Sequence, residues 1–559
     1  NMSGIDLSKI QKLLQEKKFS KIIFEIEGLT KEKNRPAYLH NLLGVCRASQ
    51  KNRTDMDVKY ALNDFEAAFY KDSLGPISLD ALCSHITLCA EMGRRESDLV
   101  NNMIISEKMY LEAEKKFSKN EKYIGYGLDL YKYLLKHKER ISKLEEMLSF
   151  NDLNKLFGKI YINSQMYLSD WKQKDFEKFQ KKFSKIFKIY NANNLSKVNV
   201  NKEKIKIGFL SPDFYKSHSI TYFIKNLIKD FKQTKFETHG LSLIKTEEHD
   251  ETTEEFKDLF DNWSDLGEKT EQETITTIQN LNIEVLVDLA GLWSSNKIDI
   301  FNTRICPLQI SWLGFNNSTG LKEVDFILAD KNTVKEEEKD YGTKIFKLPK
   351  IWNAHCGFDF ERKENPPPLI KNKYFTFGSF NNFDKINPDV AFTWSKILKE
   401  IDNSKLVLKT SSKKLATKRL KELFQDEGVL ESVKFIDRAE KFKDHLDNYN
   451  LIDIALDTFP YNGVTTSFEA IWMGVPVITM AGYNFNSRCG ESINKNLNME
   501  YLIAKDEKEY VSKAVSLSND RDKFLNIRKS LFLNAIKSPL FDGKKFSENF
   551  FSSLREIIK

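Results

Sequence analysis

Cysteine is scarce in this sequence, since 559 residues contain only six and no two of them form a CxxC pair. Closely spaced cysteine pairs are typical of structural zinc sites, and a dense set in a short chain is typical of disulfide scaffolds, so both are excluded. No apolar run reaches the roughly 18 residues that a membrane-spanning helix needs, and the first residues lack the basic-then-apolar order of a secretory signal. We expect a cytoplasmic protein without a membrane span.

A strong charge of one sign is also absent. The chain has 87 Lys+Arg against 80 Asp+Glu, a net charge of +7, and its lysines are interleaved with acidic residues. This balance argues against nucleic acid as a partner. Because 41% of the residues are hydrophobic, the chain can form real cores, and disorder is excluded. The length predicts roughly three or four domains.

The first third of the chain, residues 1–190, has little of the alternation that strands show, and its apolar residues recur at spacings of three and four. Within it, Ala61, Phe65 and Ala68 have the spacing of small, aromatic and small residues in the second helix of a tetratricopeptide repeat. Gly44 lies upstream, where a small residue lets two helices approach. We therefore expect an irregular array of tetratricopeptide-like helical hairpins and a linker helix.

Beyond residue 201 the pattern changes to short β-branched or aromatic runs that alternate with helical stretches. Strands that alternate with helices are typical of parallel sheets wound by crossover helices. The three prolines at 366–368 interrupt both patterns and mark a break. We expect two doubly wound lobes, residues 204–365 and 370–559, whose facing strand ends form a cleft for a nucleotide-like ligand.

The segment LDTFPYNGVTTSFEAIW carries the strongest functional pattern. A strand runs into a turn, and Thr465 and Thr466 then begin a helix whose free amides and dipole favour an anion. The structural alternative is that Thr465 is an ordinary N-cap. A second pattern is FGSFNNFDKINPD, in which Lys385 follows a strand and could pair with a pyrophosphate, or could be a solvated turn residue.

Together these segments resemble the O-linked N-acetylglucosamine transferase family, which includes many bacterial members and plant Spindly-type enzymes. The segments IGFLSPDFYKSHSITYFI, VLVDLAG and CPLQISWLGFNNSTGL in the first lobe agree with it, as do MGVPVITMAG and LIAKDEKEY in the second. The similarity covers about residues 204–559 in order, and the family also has tetratricopeptide helices in front.

The resemblance implies the glycosyltransferase B fold, in which two Rossmann-like lobes bind a nucleotide sugar without a cofactor. It implies an inverting transfer of N-acetylglucosamine from UDP to Ser or Thr of a polypeptide that docks on the helical domain. UDP-glucose or GDP-fucose as donor, and Asn as acceptor, stay open as alternatives. A non-catalytic tetratricopeptide scaffold is the alternative from another class. The oligomeric state is undetermined, with a homodimer as one option.

Carried over to this sequence, the resemblance assigns six residues to binding of the nucleotide sugar, and His445 is one of them. Lys385 would be catalytic by neutralising the diphosphate leaving group, and Thr465 and Thr466 would hold the β-phosphate at the start of their helix. Glu469 would bond the ribose, and Asn382 would face the nucleotide.

The two histidines of the resemblance have structural alternatives. His445 would lie near the base, or be a surface helix residue. His218 would be a catalytic base or a contact to the acceptor, or a histidine satisfied by loop backbone; a neutral imidazole is suited to accept the hydroxyl proton. Two positions depart from many relatives: Val464 replaces a histidine, and Trp293 would add a flat apolar wall near the acceptor.

Glycosyltransferases of the other architecture bind a divalent metal through a DxD pair, because carboxylates bridge a hard cation to the diphosphate. The two DxD pairs here do not follow apolar strands. Asp55 and Asp57 fall in the helical third, and Asp520 and Asp522 fall in a polar segment near the end of the chain. We therefore predict a metal-independent enzyme.

Overall fold

The computed structural model describes residues 4–92, 101–150, 155–169, 172–216, 218–293, 296–339, 341–410 and 414–559. Contacts divide the chain into two compact units, Asn1–Asp152 with Thr410–Glu422, and Leu153–Lys409 with Leu423–Lys559. The first unit is helical, and the second contains two parallel sheets.

The helical unit consists of successive helices. They are α1 (Leu7–Gln15), α2 (Phe19–Leu29), α3 (Ala37–Ser49), α4 (Asp55–Lys71), α5 (Pro76–Met92), α6 (Asn101–Phe117), α7 (Glu121–Tyr133) and α8 (His137–Phe150). Helices α3 and α4 form the hairpin that the sequence predicts. An added Cβ on Gly44 would lie 2.5 Å from a ring carbon of Phe65, so this glycine permits the close approach of the two helices.

The first sheet has seven parallel strands in the order β3-β2-β1-β4-β5-β6-β7. The strands are β1 (Ile205–Ser211), β2 (Phe236–Ser242), β3 (Asn262–Asp265), β4 (Val285–Asp288), β5 (Leu308–Ser311), β6 (Phe326–Ala329) and β7 (Lys344–Lys347). Strand β4 is buried along its whole length, as expected for a parallel sheet whose two faces are both covered.

The second sheet repeats the same winding with six parallel strands in the order β10-β9-β8-β11-β12-β13. The strands are β8 (Thr376–Ser379), β9 (Lys405–Lys409), β10 (Val433–Ile436), β11 (Ile454–Leu456), β12 (Val477–Met480) and β13 (Ile503–Ala504). In both sheets the third, second and first strands lie on one side and the fourth, fifth and sixth on the other, which is the Rossmann order.

The remaining helices precede, connect or follow these strands. They are α9 (Lys155–Gln165), α10 (Gln173–Ser184), α11 (Thr221–Asp230), α12 (Glu251–Leu259), α13 (Glu271–Asn280), α14 (Pro368–Asn372), α15 (Pro388–Glu400), α16 (Lys414–Asp426), α17 (Phe442–Asp447), α18 (Thr465–Trp472), α19 (Cys489–Lys495), α20 (Glu507–Asn519), α21 (Arg521–Ile536) and α22 (Gly543–Ile558). Helix α22 follows the second sheet but packs on the first lobe, where the Phe551 and Phe231 rings lie 4.6 Å apart.

The structure confirms the predicted fold class, a tetratricopeptide-like helical part followed by two Rossmann-like lobes. The break at the prolines falls between the sheets, since β7 ends at Lys347 and β8 begins at Thr376. The limits 1–190, 204–365 and 370–559 of the three domains stay predictions. Among the helices of the described residues, none is both long and apolar enough to span a bilayer.

Candidate functional site

Each sheet has a switch point at which the chain leaves two neighbouring strands toward opposite sides. In the first sheet β1 and β4 are neighbours, and in the second β8 and β11 are neighbours. Ligands of such sheets bind beyond the carboxyl ends of these strands. All predicted site residues except His445 follow one of these four strands: His218, Trp293, Asn382, Lys385, Thr465, Thr466 and Glu469.

A cavity of about 620 Å³ is lined by both lobes, and this volume is in the range of small-molecule sites. Four predicted residues line it: His218 from the first lobe, and His445, Thr465 and Glu469 from the second. Its lining also includes side chains that the sequence analysis did not single out: Lys216, Tyr222, Lys409, Arg438, Lys441 and Phe442. The structure therefore brings half of the predicted set to one ligand-sized space.

Lys385 lies at the end of a short helical turn that follows β8. Its Nζ lies 3.3 Å from the carbonyl oxygen of Asn462 and 4.4 Å from the centre of the Tyr461 ring. Burial lowers the pKa of Lys385 to about 8, although the carboxylate of Asp457 acts in the opposite direction. Lys385 does not belong to the lining of the 620 Å³ cavity; it contacts the loop that leads into α18.

Helix α18 begins at Thr465 without a side-chain cap, because its N-cap residue is Val464. The alternative of Thr465 as N-cap is therefore wrong, and among the residues that the structure describes no side chain caps the first amides of the helix. Thr466 Oγ1 donates to Asn381 Oδ1 at 2.8 Å, which ties the helix to the end of β8. An added Cβ on Gly463 would clash with Thr466 Oγ1, so only glycine fits beside this contact.

Glu469 and His445 form one hydrogen-bonded network. Glu469 Oε2 accepts from the Tyr449 hydroxyl at 2.7 Å and contacts His445 Nε2 at 2.8 Å. Lys409 Nζ lies 3.2 Å from His445 Nδ1. An ammonium group only donates, so Nδ1 accepts and Nε2–H donates to Glu469. Burial lowers the pKa of Lys409, against the effect of Glu469. Contacts at both ring nitrogens thus fix the orientation of the His445 ring.

His218 lines the cavity while its ring is held by its own loop. Nδ1 accepts from the Ile220 amide at 3.2 Å, and Nε2 lies 3.6 Å from Asp213 Oδ2. Burial lowers the pKa of His218 to about 4 and raises the pKa of Asp213 to about 6. At neutral pH the imidazole is therefore uncharged with its proton on Nε2. The bond at Nδ1 is the contact with loop backbone that the structural alternative for His218 predicts.

Besides Lys385 and Thr466, the predicted residues Asn382 and Trp293 also lie outside the lining of the cavity. Asn382 is exposed, and its Oδ1 accepts from the Asp384 amide at 3.3 Å, so it caps the turn that carries Lys385. Trp293 donates from Nε1 to the carbonyl oxygen of Gly314 at 2.8 Å. The roles predicted for Asn382 and Trp293 stay predictions.

The sequence analysis missed the aspartates that end three of the switch-point strands or follow them within two residues. Asp457 Oδ1 accepts from the Gly463 amide at 2.8 Å, and its Oδ2 accepts from the Thr479 hydroxyl at 2.7 Å. Asp213 and Asp288 hold the corresponding places after β1 and at the end of β4. An acidic residue at the end of an apolar run was the available signal. No comparable signal marked Lys409, because lysines are so numerous in this chain.

The DxD pairs lie where the sequence analysis expects them. Asp55 and Asp57 are in the first turn of α4, where Asp57 completes a capping box. Asp520 caps α21 by accepting from the Lys523 amide, and Asp522 is in the first turn. Within the residues that the structure describes, no three His, Cys, Asp or Glu side chains are grouped as metal ligands are.

A family model described as "Glycosyl transferase family 41" matches residues 180–355 and 369–550. These two segments contain both sheets and all eight predicted site residues: His218, Trp293, Asn382, Lys385, His445, Thr465, Thr466 and Glu469.

Among curated proteins, the "Probable UDP-N-acetylglucosamine--peptide N-acetylglucosaminyltransferase SPINDLY" of Hordeum vulgare is 33% identical over 390 residues, covering 67% of this chain and 40% of that protein. The protein of the same name from Solanum lycopersicum is 31% identical over 425 residues, covering 72% and 44%. The chain thus spans less than half the length of these relatives.

Among solved structures, a mutant of the Thermobaculum terrenum O-GlcNAc transferase matches with a TM-score of 0.76 at 21% identity, covering 95% of this chain and 98% of that chain. At this identity the likeness concerns the fold. It agrees with the helical part and the glycosyltransferase B lobes that the resemblance implies.

Proposed function

Because the chain belongs to glycosyl transferase family 41, we propose that it is an inverting protein glycosyltransferase. The donor is UDP-N-acetylglucosamine, and the acceptor is a serine or threonine side chain of a polypeptide. The printed names of the plant relatives support this donor and a peptide acceptor. All six cysteines are unpaired, which is the state that a reducing cytoplasm maintains, and we place the reaction there.

The observation that carries the proposal is the contact between Lys385 and the loop before α18. The Lys385 ammonium lies 3.3 Å from the carbonyl oxygen of Asn462, three residues before Thr465. A cation and uncapped helix amides placed together suit a diphosphate, which has several anionic oxygens. The adjoining cavity of about 620 Å³ offers Glu469 and His445 to the nucleoside.

In the proposed reaction the acceptor oxygen attacks the anomeric carbon from the face opposite the diphosphate, so the configuration inverts. The bond from this carbon to the β-phosphate oxygen breaks, and its electron pair stays on the diphosphate. Lys385 and the α18 amides stabilise the charge that develops there. One charge-assisted contact contributes roughly 1.5–3 kcal/mol, which is about one to two powers of ten in rate.

The acceptor proton needs a base, and the geometry makes His218 a weak one. Its Nδ1 already accepts from Ile220, and burial lowers the pKa of His218 to about 4. In the neutral ring Nε2 carries the proton, so His218 has no free lone pair to receive another one. We therefore favour an anionic oxygen of the donor diphosphate as the proton acceptor, with His218 contacting the acceptor through Nε2–H.

We propose that the transfer needs no divalent ion, since Lys385 and the helix amides supply the positive charge. The expected result is an unchanged initial rate of UDP release after dialysis against EDTA. A loss of rate that Mg²⁺ or Mn²⁺ restores would show that a cation bridges the diphosphate.

Thermal stabilisation by nucleotide separates this enzyme from a non-catalytic scaffold. A ligand at 100 times its dissociation constant stabilises the folded state by about 2.7 kcal/mol, so UDP should raise the melting temperature. Lys385→Met should weaken this effect. Lys396→Met is a matched control, because Lys396 also lies 4.4 Å from an aromatic ring centre, that of Phe392, but is exposed on α15. No response to UDP or GDP in the unmodified protein would favour the scaffold.

The donor sugar and the acceptor residue are tested together. A peptide pool is incubated with UDP-N-acetylglucosamine, UDP-glucose or GDP-fucose, and modified sites are read by mass spectrometry. We expect N-acetylglucosamine on serine and threonine. Transfer of fucose, or modification of asparagine, would assign the protein to one of the alternatives.

We propose that the helical unit docks the acceptor polypeptide. Three tyrosines on α3 and α4 are nearly half exposed, with 44% exposure for Tyr38, 47% for Tyr60 and 43% for Tyr70. Tyrosine offers a large apolar body and a hydroxyl at a small entropic cost, which suits contacts to an extended peptide.

A further inference from the structure

A second cavity, of about 740 Å³, lies at the end of the first sheet that is opposite to the candidate site. It is lined by the first residues of β1 and β2, Ile205 and Phe236, and by one face of α22. The candidate site lies beyond the carboxyl ends of the strands, whereas this cavity lies at their amino ends. Ile205, Phe236 and Phe551 are 4%, 2% and 8% exposed and supply an apolar floor.

The rim of this cavity is basic. Lys235, Lys544 and Arg555 line it, and within the described part of the chain no carboxylate oxygen lies within 4.0 Å of their charged groups. Of the two acidic residues in the lining, Glu548 contacts Lys545 at 3.5 Å. The cavity therefore has more positive than negative charge available to a ligand.

We propose that this cavity binds a small organic anion with an aromatic or similarly flat apolar body. The apolar part would lie on Ile205, Phe236 and Phe551, and its carboxylate or sulfonate would face Lys544 and Arg555. The volume of about 740 Å³ accommodates a molecule of two or three rings. This site is separate from the donor cavity and does not depend on the function proposed above.

The probe is 8-anilinonaphthalene-1-sulfonate, followed by fluorescence on the folded full chain. We expect saturable binding that UDP does not displace. Lys544→Gln and Arg555→Gln should each weaken the affinity about three- to fivefold, the size expected for a partly exposed charge pair. Lys545→Gln is the matched control, because this neighbouring lysine contacts Glu548 and does not line the cavity; its affinity should be unchanged.

N-phenyl-1-naphthylamine, which has the same rings without the sulfonate, tests the role of charge. It should bind more weakly, and Arg555→Gln should not change its affinity.

Two results would overturn the proposal. They are displacement of the sulfonate by UDP, and equal affinities for the Lys544, Arg555 and Lys545 variants. Absence of saturable binding would also overturn it.

Discussion

The half-buried setting of Lys385 makes donor capture sensitive to alkaline pH. Its pKa falls from an ordinary 10.5 to about 8 because the ammonium loses water on burial, which corresponds to about 3 kcal/mol against the charged form. With this pKa about 90% of the free enzyme has a charged Lys385 at pH 7, and about 10% at pH 9. Since only the charged form holds the diphosphate, kcat/KM should fall about tenfold between these pH values.

The same reasoning predicts a different profile for kcat. Once the donor is bound, its anionic oxygens favour the ammonium and raise the pKa of Lys385 again. Initial rates of UDP release, measured from pH 6 to 10 at varied donor concentration, separate the two parameters. We expect kcat to stay level through pH 9 while kcat/KM declines.

Lys385→Arg shows whether this residue causes the decline, because a guanidinium stays charged throughout the range. The variant should be slower at pH 7, since its planar group does not reproduce a point charge, but its kcat/KM should stay level from pH 7 to 9. Lys385→Met should lose about one to two powers of ten in kcat/KM at pH 7. A level profile for the unmodified enzyme, or an equal decline in Lys385→Arg, would refute the reasoning.

Three further predictions concern other parts of the chain. Glu469→Gln should raise KM for the donor about tenfold and change kcat little, since it removes a charge that binds the nucleoside; an unchanged KM in initial-rate assays would contradict this. Gly44→Val should destabilise the fold by about 1–3 kcal/mol in urea unfolding, because its side chain meets a neighbouring ring. Gly28→Ala, whose added Cβ meets nothing within 4 Å, should not destabilise it, and equal effects would refute the packing argument. Replacing Tyr38 and Tyr60 together by serine should raise KM for a protein acceptor but not for a short peptide; equal changes would exclude docking on these helices.

Most of the fold could be predicted from the sequence because its signals are local. Spacings of three and four residues predict the helices of the first third, and short β-branched runs between helices predict parallel sheets. Gly44 and Phe65 also predict a close helix pair, and the structure places an added Cβ on Gly44 2.5 Å from the Phe65 ring. The packing of α22 on the first lobe could not be predicted, since no local pattern says which sheet a terminal amphipathic helix covers.

The candidate site was predictable where one segment carries the chemistry. Thr465 and Thr466 begin α18 as expected, because the turn and the helix start lie in one stretch of sequence. The contact between Lys409 and His445 joins residues 36 positions apart, and the tautomer of His445 depends on it. Such pairings depend on the order of the strands in the sheet, in which β9 and β10 are neighbours. Local sequence patterns do not show this order.

The aspartates at the strand ends show why residue type alone did not define the site. An acid after an apolar strand fits a metal ligand as well as a group that shapes a loop. At Asp457 both oxygens are already used, by the Gly463 amide and the Thr479 hydroxyl, and burial raises its pKa to about 7. Asp457 therefore holds the loop that leads into α18. Its charge also opposes the effect of burial on Lys385, so the loop and the charged state of the lysine depend on the same carboxylate.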